Sequence, residues 1–225
     1  MTENHIRQRI EEIERQLPTQ TRLVAVSKYH PAEAIRQAYE AGVRRFGESH
    51  VQELCQKREQ LPADIEWHFI GHLQTNKVKY IAPFVSLIHA VDTRKLLNEI
   101  NRQGEKCGRV IPCLLQIHIA QEETKYGFTL SECRQLLHET DLSTLPYARI
   151  DGLMCMATQT DDTEQIRHEF HAVNEFFSEL KSTLFAHCPN FTERSWGMSH
   201  DYPLAIEEGS TLVRIGTYIF GERAY

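Results

Sequence analysis

The chain has 225 residues, of which 41% are hydrophobic and 25% charged, with a formal net charge of −6. This composition is typical of a folded globular protein and excludes a fibrous repeat or a disordered chain. No long basic cluster occurs, which argues against general nucleic-acid binding, and no apolar run reaches the about 18 residues of a membrane span. The start, Met1-Thr2-Glu3-Asn4, does not resemble a signal peptide, so we expect a cytoplasmic protein.

The first predicted element is an amphipathic helix near residues 3–17, which ends at Pro18. It carries apolar residues at helical spacing between charged ones, namely Ile6, Ile10, Ile13 and Leu17. Eight short β-rich runs follow and predict strands at residues 23–27, 44–46, 66–70, 86–89, 112–117, 148–153, 193–195 and 211–214. Helical patterns lie between them, near residues 31–42, 49–60, 75–82, 93–104, 130–138, 162–182 and 201–208.

The alternation of strand and helix, about eight times, predicts a single α/β domain over residues 1–225, folded as a (β/α)8 TIM barrel. The extra helix within residues 1–18 is expected to pack on that barrel. An open doubly wound sheet shows the same alternation, but it predicts a Gly-rich turn after the first strand. This chain has Ser27-Lys28-Tyr29-His30-Pro31 at that point, which favours the barrel.

Ligand sites of such barrels lie at the C-terminal rim, so the residues that directly follow strands are the candidate site residues. They are Lys28, Ser49, Gly71, His72, Met156, Ser199 and Gly216. A lysine at a strand end is usually a solvated cap. In a barrel mouth beside another cation, however, desolvation favours the uncharged amine, which attacks aldehydes. Lys28 is therefore the predicted Schiff-base lysine.

A late segment, Arg214-Ile215-Gly216-Thr217, predicts a binding site for an anion. It offers bare backbone at a glycine, N–H groups at a helix start and a hydroxyl, and barrels place phosphate after their seventh and eighth strands. Ser199 precedes a further helix and could donate to the same anion. Taken singly, Ser199 or Thr217 is more often a helix N-cap. Together with Lys28 they predict a site for an aldehyde that carries a phosphate.

The histidines and cysteines predict neither a metal site nor a disulfide. His68, His72, His89 and His118 lie at or near strand ends, without a metal-binding spacing such as His-Glu-x-x-His. The six cysteines are scattered without paired spacing, which suits reduced, packed thiols, and Cys155 is expected to fill space in the core. We therefore expect no metal ion.

Six segments, spread over nearly the whole chain, form a recognisable pattern in a fixed order. They are residues 24–28 (VAVSK), 46–53 (FGESHVQE), 67–77 (WHFIGHLQTNK), 152–156 (GLMCM), 197–201 (GMSHD) and 214–221 (RIGTYIFG). Together they closely resemble the pyridoxal phosphate homeostasis proteins, the YggS/PROSC type. The resemblance implies a barrel like the N-terminal domain of alanine racemase that holds pyridoxal 5′-phosphate (PLP).

The resemblance also implies a role for each matched residue. Lys28 would carry PLP as an internal aldimine, Ser199, Gly216 and Thr217 would bind its phosphate, and Arg214 would face its pyridine nitrogen. The implied partners are PLP-dependent apo-enzymes that receive the cofactor, with no nucleic acid or membrane. The implied assembly is a monomer or weak dimer.

One segment departs from the family pattern. The family usually has Gly-Glu-Asn-Tyr where this chain has Gly47-Glu48-Ser49-His50, so a hydroxyl replaces a longer amide donor near the cofactor. We expect binding to survive and keep Ser49, with Ile70 and Met156, among the predicted cofactor-binding residues. Lys125 resembles another family lysine near the mouth and is a candidate second, weaker aldehyde acceptor.

Three functions follow from this site. The first is a carrier that buffers or delivers PLP. A permanently charged Arg214 can only donate to the pyridine nitrogen, and an unprotonated ring is a weaker electron sink, which argues against fast turnover. The second is an amino-acid racemase of the alanine racemase class; few residues follow Arg214 to form its usual second β domain, and Tyr29 or a histidine would have to act as opposite-face acid. The third is a cofactor-free barrel that uses Lys28 on the carbonyl of a sugar phosphate.

Overall fold

The computed structural model describes residues 3–121 and 126–222. Eight parallel strands close into a barrel in which each strand pairs with its neighbour in chain order and the last pairs with the first. The strands are β1 Arg22–Val26, β2 Arg45–Glu48, β3 Glu66–Phe69, β4 Leu87–Val91, β5 Ile111–Ile117, β6 Ala148–Cys155, β7 Glu193–Met198 and β8 Leu212–Ile215. The predicted (β/α)8 barrel is confirmed.

The helices connect successive strands and cover the outside of the barrel. They are α1 Glu3–Gln16, α2 Ala32–Glu40, α3 Val51–Gln60, α4 Val78–Ile81, α5 Arg94–Cys107, α6 Leu130–Glu139, α7 Thr163–Ser182, α8 Tyr202–Glu207 and α9 Thr217–Phe220. Single 3-10 turns occur at Thr75–Lys77 and Leu142–Thr144. No helix within the described ranges is long and apolar enough to cross a membrane.

Local side-chain chemistry sets several helix ends. Thr93 caps α5 by accepting a hydrogen bond from the Leu96 N–H, and the helix ends at Gly108, which has a left-handed backbone with φ of 63°. Thr129 and Glu132 form a reciprocal capping box at the start of α6. These signals explain why the predicted helices agree with the observed ones to within a few residues.

The strands are buried on both faces because helices cover the barrel and side chains fill it. One face of each strand packs against the helices in the main core, which α1 joins through the buried Ile6, Ile10 and Ile13. Alternate residues form a second cluster that faces the barrel interior, with Val24, Leu87, Leu114, Met154 and Leu212. All five residues of β4 are buried, including His89.

The approach of β7 to β6 requires glycine at position 152. A Cβ atom there would lie 1.8 Å from the carbonyl oxygen of Glu193 on β7, far inside van der Waals contact. Strand β7 itself continues to Met198, beyond the predicted residues 193–195, and so carries the backbone up to the turn that holds Ser199.

Candidate functional site

A cavity of about 370 Å³ opens at the C-terminal rim of the barrel. Its walls include Val26 at the end of β1, Met156 directly after β6 and Gly216 directly after β8. The volume falls within the about 300–1,000 Å³ that is usual for small-molecule sites. The cavity is therefore the candidate ligand site, at the end of the barrel where such sites lie.

All the predicted cofactor-binding residues line this cavity: Lys28, Ser49, Ile70, Met156, Ser199, Arg214, Gly216 and Thr217. The lysine from the start of the chain and the predicted anion site from its end thus share one pocket. The lining also contains residues that sequence reasoning had not selected, namely Val26, His30, Gln159, Met198 and His200. Val26, Met198 and His200 stand within the motif segments, so the signal for them was present.

Two other residues that follow strand β3 do not line the cavity. Gly71 packs against Ser49, whose carbonyl oxygen would lie 2.5 Å from a Cβ at that position. His72 lies with its Nδ1 atom 2.8 Å from Asp92 Oδ2, and its ring stacks on Tyr126 with 4.0 Å between centroids. Lys125, the candidate second lysine, lies outside the described residues.

The turn that carries Lys28 has a constrained backbone. Tyr29 adopts a left-handed conformation with φ of 67°, which is uncommon for a residue other than glycine. Its N–H donates to Glu53 Oε1 at 2.6 Å, and the N–H of His30 donates to the carbonyl of Ser27 at 3.1 Å. These bonds offset the strain and fix the direction in which Lys28 leaves the strand.

A buried polar cluster contacts the backbone of the turn that carries Lys28. Lys57 on α3 is buried and donates to the Ser27 carbonyl at 2.7 Å, to Glu48 Oε1 at 2.8 Å and to Glu53 Oε1 at 2.6 Å. Ser27 Oγ also donates to Glu48 Oε1, at 2.6 Å. Burial raises the pKa of the Glu48 carboxyl to about 7, although Lys57 and Ser27 oppose the shift. Sequence reasoning missed this cluster.

The predicted anion site is built around Gly216. A Cβ atom there would lie 2.9 Å from the Val26 carbonyl oxygen, so glycine allows the turn after β8 to lie against the end of β1. The N–H of Gly216 points towards Ser199 Oγ at 3.4 Å. The Ser199 turn is itself held by Asp201, whose buried carboxylate accepts a 2.5 Å hydrogen bond from the Met198 N–H. Backbone N–H groups and hydroxyls therefore converge there.

Arg214 brings a buried positive charge to the cavity wall. Its side chain is buried, with Nη1 donating to the carbonyl and the Oγ of Ser195, both at 2.6 Å, and Nη2 donating to the Cys155 carbonyl at 3.0 Å. Burial lowers the pKa of the Arg214 guanidinium below its usual value. An arginine has five N–H donors, so hydrogen-bonding capacity remains for a ligand.

Behind Arg214, two histidines extend the hydrogen bonding into the barrel interior. His89 Nδ1 lies 2.8 Å from Ser195 Oγ, and His68 Nδ1 lies 2.8 Å from His89 Nε2. Burial lowers the pKa of both rings, that of His68 to about 3 and that of His89 well below its usual value. Both imidazoles are therefore neutral at pH 7. Within residues 3–121 and 126–222, no cluster of three or more metal-ligating side chains occurs.

Two residues of the predicted anion site also line a second cleft. Ser199 and Thr217 also line a cleft of about 690 Å³, together with His5, Gln8 and Arg9 of α1. Thr217 is exposed. The predicted anion site thus lies between the barrel mouth and the surface beside the N-terminal helix.

The fold and the cavity together define a TIM-barrel protein with a lysine amine, a buried arginine and the predicted anion site at one rim. The sequence profile of the alanine racemase N-terminal domain family matches residues 2–224. A pyridoxal phosphate homeostasis protein of Aquifex aeolicus is 41% identical over 205 residues, which cover 91% of this chain and 88% of that protein. This chain therefore belongs to the pyridoxal phosphate homeostasis protein family.

Solved structures give the same assignment of the fold. PipY of Synechococcus elongatus, solved with PLP bound, is 37% identical, with a TM-score of 0.85 over 96% of this chain and 100% of that one. The alanine racemase of Bartonella henselae superposes with a TM-score of 0.72 over 99% of this chain and 60% of that one. At 16% identity, the racemase shares the fold alone.

Proposed function

We propose that this protein binds PLP covalently through Lys28 and buffers or delivers it to other enzymes, without rapid catalysis of its own. The observation that carries the proposal is that Lys28, Arg214 and the Ser199-Gly216-Thr217 group line one cavity. The membership of the family, and the PLP bound in its relative PipY, support the choice of ligand.

The residues present fit PLP. A flat ring needs apolar walls, and Val26, Ile70 and Met156 line the cavity. A phosphate dianion needs hydroxyl donors and accessible backbone N–H groups. Ser199 and Thr217 carry hydroxyls, and the backbone at Gly216 lies in a turn that has no room for a Cβ atom. When bound, PLP supplies an aldehyde that reacts with amines and a ring that withdraws electrons.

Each residue then has a defined task. Lys28 offers the amine that bonds to the aldehyde, from a turn fixed by the Glu53 carboxylate. Ser199 and Thr217 would donate to the phosphate, and Ser49 would offer a short hydroxyl to the ring. Arg214 would donate to the pyridine nitrogen and keep it unprotonated, because a guanidinium has no acceptor.

This task of Arg214 favours a carrier over a fast enzyme, since an unprotonated ring withdraws electrons less strongly. The cleft beside α1 reaches Ser199 and Thr217. It offers a route by which the phosphate end of PLP could leave the site during delivery. We further propose that apo forms of PLP enzymes receive the cofactor, that the protein acts in the cytoplasm, and that it is a monomer or weak dimer.

The experiment combines a binding titration with a transfer assay. PLP added to the purified protein should give an absorbance band of the bound cofactor that is absent in Lys28→Ala. The loaded protein, mixed with an apo-enzyme that needs PLP, should restore that enzyme's activity. Lys28→Arg, which keeps the charge but is a poor nucleophile, is the matched control for Lys28→Ala.

The alternative functions predict other results. An amino-acid racemase would exchange the α-hydrogen of an amino acid for deuterium at about 1 per second or faster, the range of ordinary enzymes. A cofactor-free sugar-phosphate enzyme would bind no PLP at all. Either result would contradict the carrier proposal.

A further inference from the structure

The buried hydrogen bonds behind Arg214 can be assigned a direction. A guanidinium donates and never accepts, so Ser195 Oγ accepts from Arg214 Nη1 at 2.6 Å. Within the described parts of the chain, the other hydrogen-bond partner of this hydroxyl is His89 Nδ1 at 2.8 Å. The single hydroxyl proton of Ser195 finds an acceptor among these partners only if Nδ1 of His89 is unprotonated, so we assign Nδ1 as the accepting nitrogen.

The same assignment gives both imidazole tautomers. Because Nδ1 of His89 accepts, its proton resides on Nε2, which donates to His68 Nδ1 at 2.8 Å. Each group in the series thus turns its accepting atom towards Arg214. Oriented dipoles of this kind stabilise a buried cation without adding a counter-charge.

The kind of partner that Arg214 has matters for the ligand. Within the described residues, Arg214 donates hydrogen bonds to carbonyl and hydroxyl oxygens, while the buried Asp201 carboxylate acts on it only electrostatically. Its hydrogen-bond partners are therefore uncharged, and N–H donors remain for a group in the cavity that it also lines. An uncharged ring nitrogen with a lone pair suits such a donor.

We propose that Ser195 and His89 are positioning residues, which fix Arg214 so that the site recognises the ring nitrogen of its ligand. The proposal rests on the function proposed above, because it takes PLP as the ligand. Ser195 and His89 touch neither the ligand nor the reacting aldehyde; they act through the guanidinium.

The test compares two ligands that differ at one atom: PLP and its 1-deaza analogue, in which C–H replaces the ring nitrogen. Ser195→Ala removes the hydroxyl that accepts a hydrogen bond from Arg214. We expect this variant to bind PLP about 5- to 10-fold more weakly, the usual effect of one lost hydrogen bond. The same variant should change binding of the deaza analogue by less than about twofold, since that ligand offers Arg214 no acceptor.

Two further variants test the direction of the chain. His89→Asn keeps an accepting oxygen near the position of Nδ1 and should bind PLP like the wild type. His89→Leu removes the acceptor and should reproduce the selective loss of Ser195→Ala. The matched control is Ser210→Ala, which removes another buried hydroxyl, one that donates to the Trp196 carbonyl at 2.7 Å and does not contact Arg214. It should leave the preference for PLP over the analogue unchanged.

The outcomes separate this inference from the proposed function. If the wild type binds neither ligand, the proposed function fails. If it binds PLP but Ser195→Ala weakens both ligands equally, or neither, the positioning role is wrong. Thermal melting of the ligand-free variants shows whether an equal loss comes from unfolding.

Discussion

The hydroxyl of Thr217 is a cavity-lining group that can be removed with little disturbance, because the residue is exposed and valine has the same shape. Thr217→Val should weaken PLP binding about 10-fold, since a hydrogen bond to a charged group contributes about 1.5 kcal/mol. An absorbance titration measures the change. Thr217→Ser keeps the hydroxyl and should bind normally; equal weakening in both variants would mean that the loss does not come from the hydroxyl.

Glu48 gives a prediction about pH. The pKa of its carboxyl rises from an ordinary 4.5 to about 7 on burial, so the folded protein holds a proton that the unfolded chain releases between these values. The free energy of unfolding should therefore fall as pH rises from about 4.5 to 7, by on the order of 3 kcal/mol from this group. The charged neighbours Lys57 and Glu53 are unchanged in Glu48→Gln, so a comparison of that variant with the wild type isolates the contribution of Glu48.

Urea unfolding of wild type and Glu48→Gln at several pH values measures this contribution. The glutamine cannot titrate, so the difference in unfolding free energy between the two proteins should grow in favour of the variant above pH 5. Parallel stability curves from pH 5 to 8 would mean that Glu48 keeps an ordinary pKa beside Lys57.

Among the elements, α1 joins the core through three isoleucines on one face. Ile10 is fully buried, so Ile10→Ala should lower the free energy of unfolding by about 3 kcal/mol, the usual cost of a truncated core aliphatic. Glu14→Ala, on the exposed face of the same helix, should change it by less than about 0.5 kcal/mol. A similar small effect for both would show that α1 is only loosely attached to the barrel.

The elements also show what a sequence can predict. Residues such as Lys28 and Gly216 could be selected because each follows a clear apolar run, and the barrel rule places all such residues at one rim. The ends of β4 and β7 were placed too early, since a strand buried on both faces, such as Leu87–Val91, lacks the alternation that marks its limits.

The polar networks could not be predicted for a different reason. His89 and Ser195 are 106 positions apart, and their contact depends on which face of each strand points inward. Glu48 and Lys57 likewise resemble ordinary surface residues of a strand end and a helix. Only the closed barrel brings such residues together, because their partners belong to other elements.

At the scale of the whole molecule, we propose that residues 1–225 form one cooperative domain. The buried Trp67 and Trp196 report on the strands, whereas far-ultraviolet circular dichroism reports mainly on the helices, including α1. Both signals should give the same thermal midpoint, as two-state unfolding requires. Two separate transitions would contradict the single domain.

Bound PLP should stabilise the same fold. At a PLP concentration of about 100 times its Kd, the free energy of unfolding should rise by about 2.7 kcal/mol.

The central claim is that the amine of Lys28 and the anion site at Gly216 hold one PLP molecule between them. The most direct measurement is borohydride reduction of the PLP-loaded protein, which makes the bond between aldehyde and amine permanent, followed by mass spectrometry of its peptides. The account predicts one PLP group per chain, on Lys28, and no stable label in Lys28→Ala. A label on Lys57 or spread over several lysines, or none on Lys28, would contradict it.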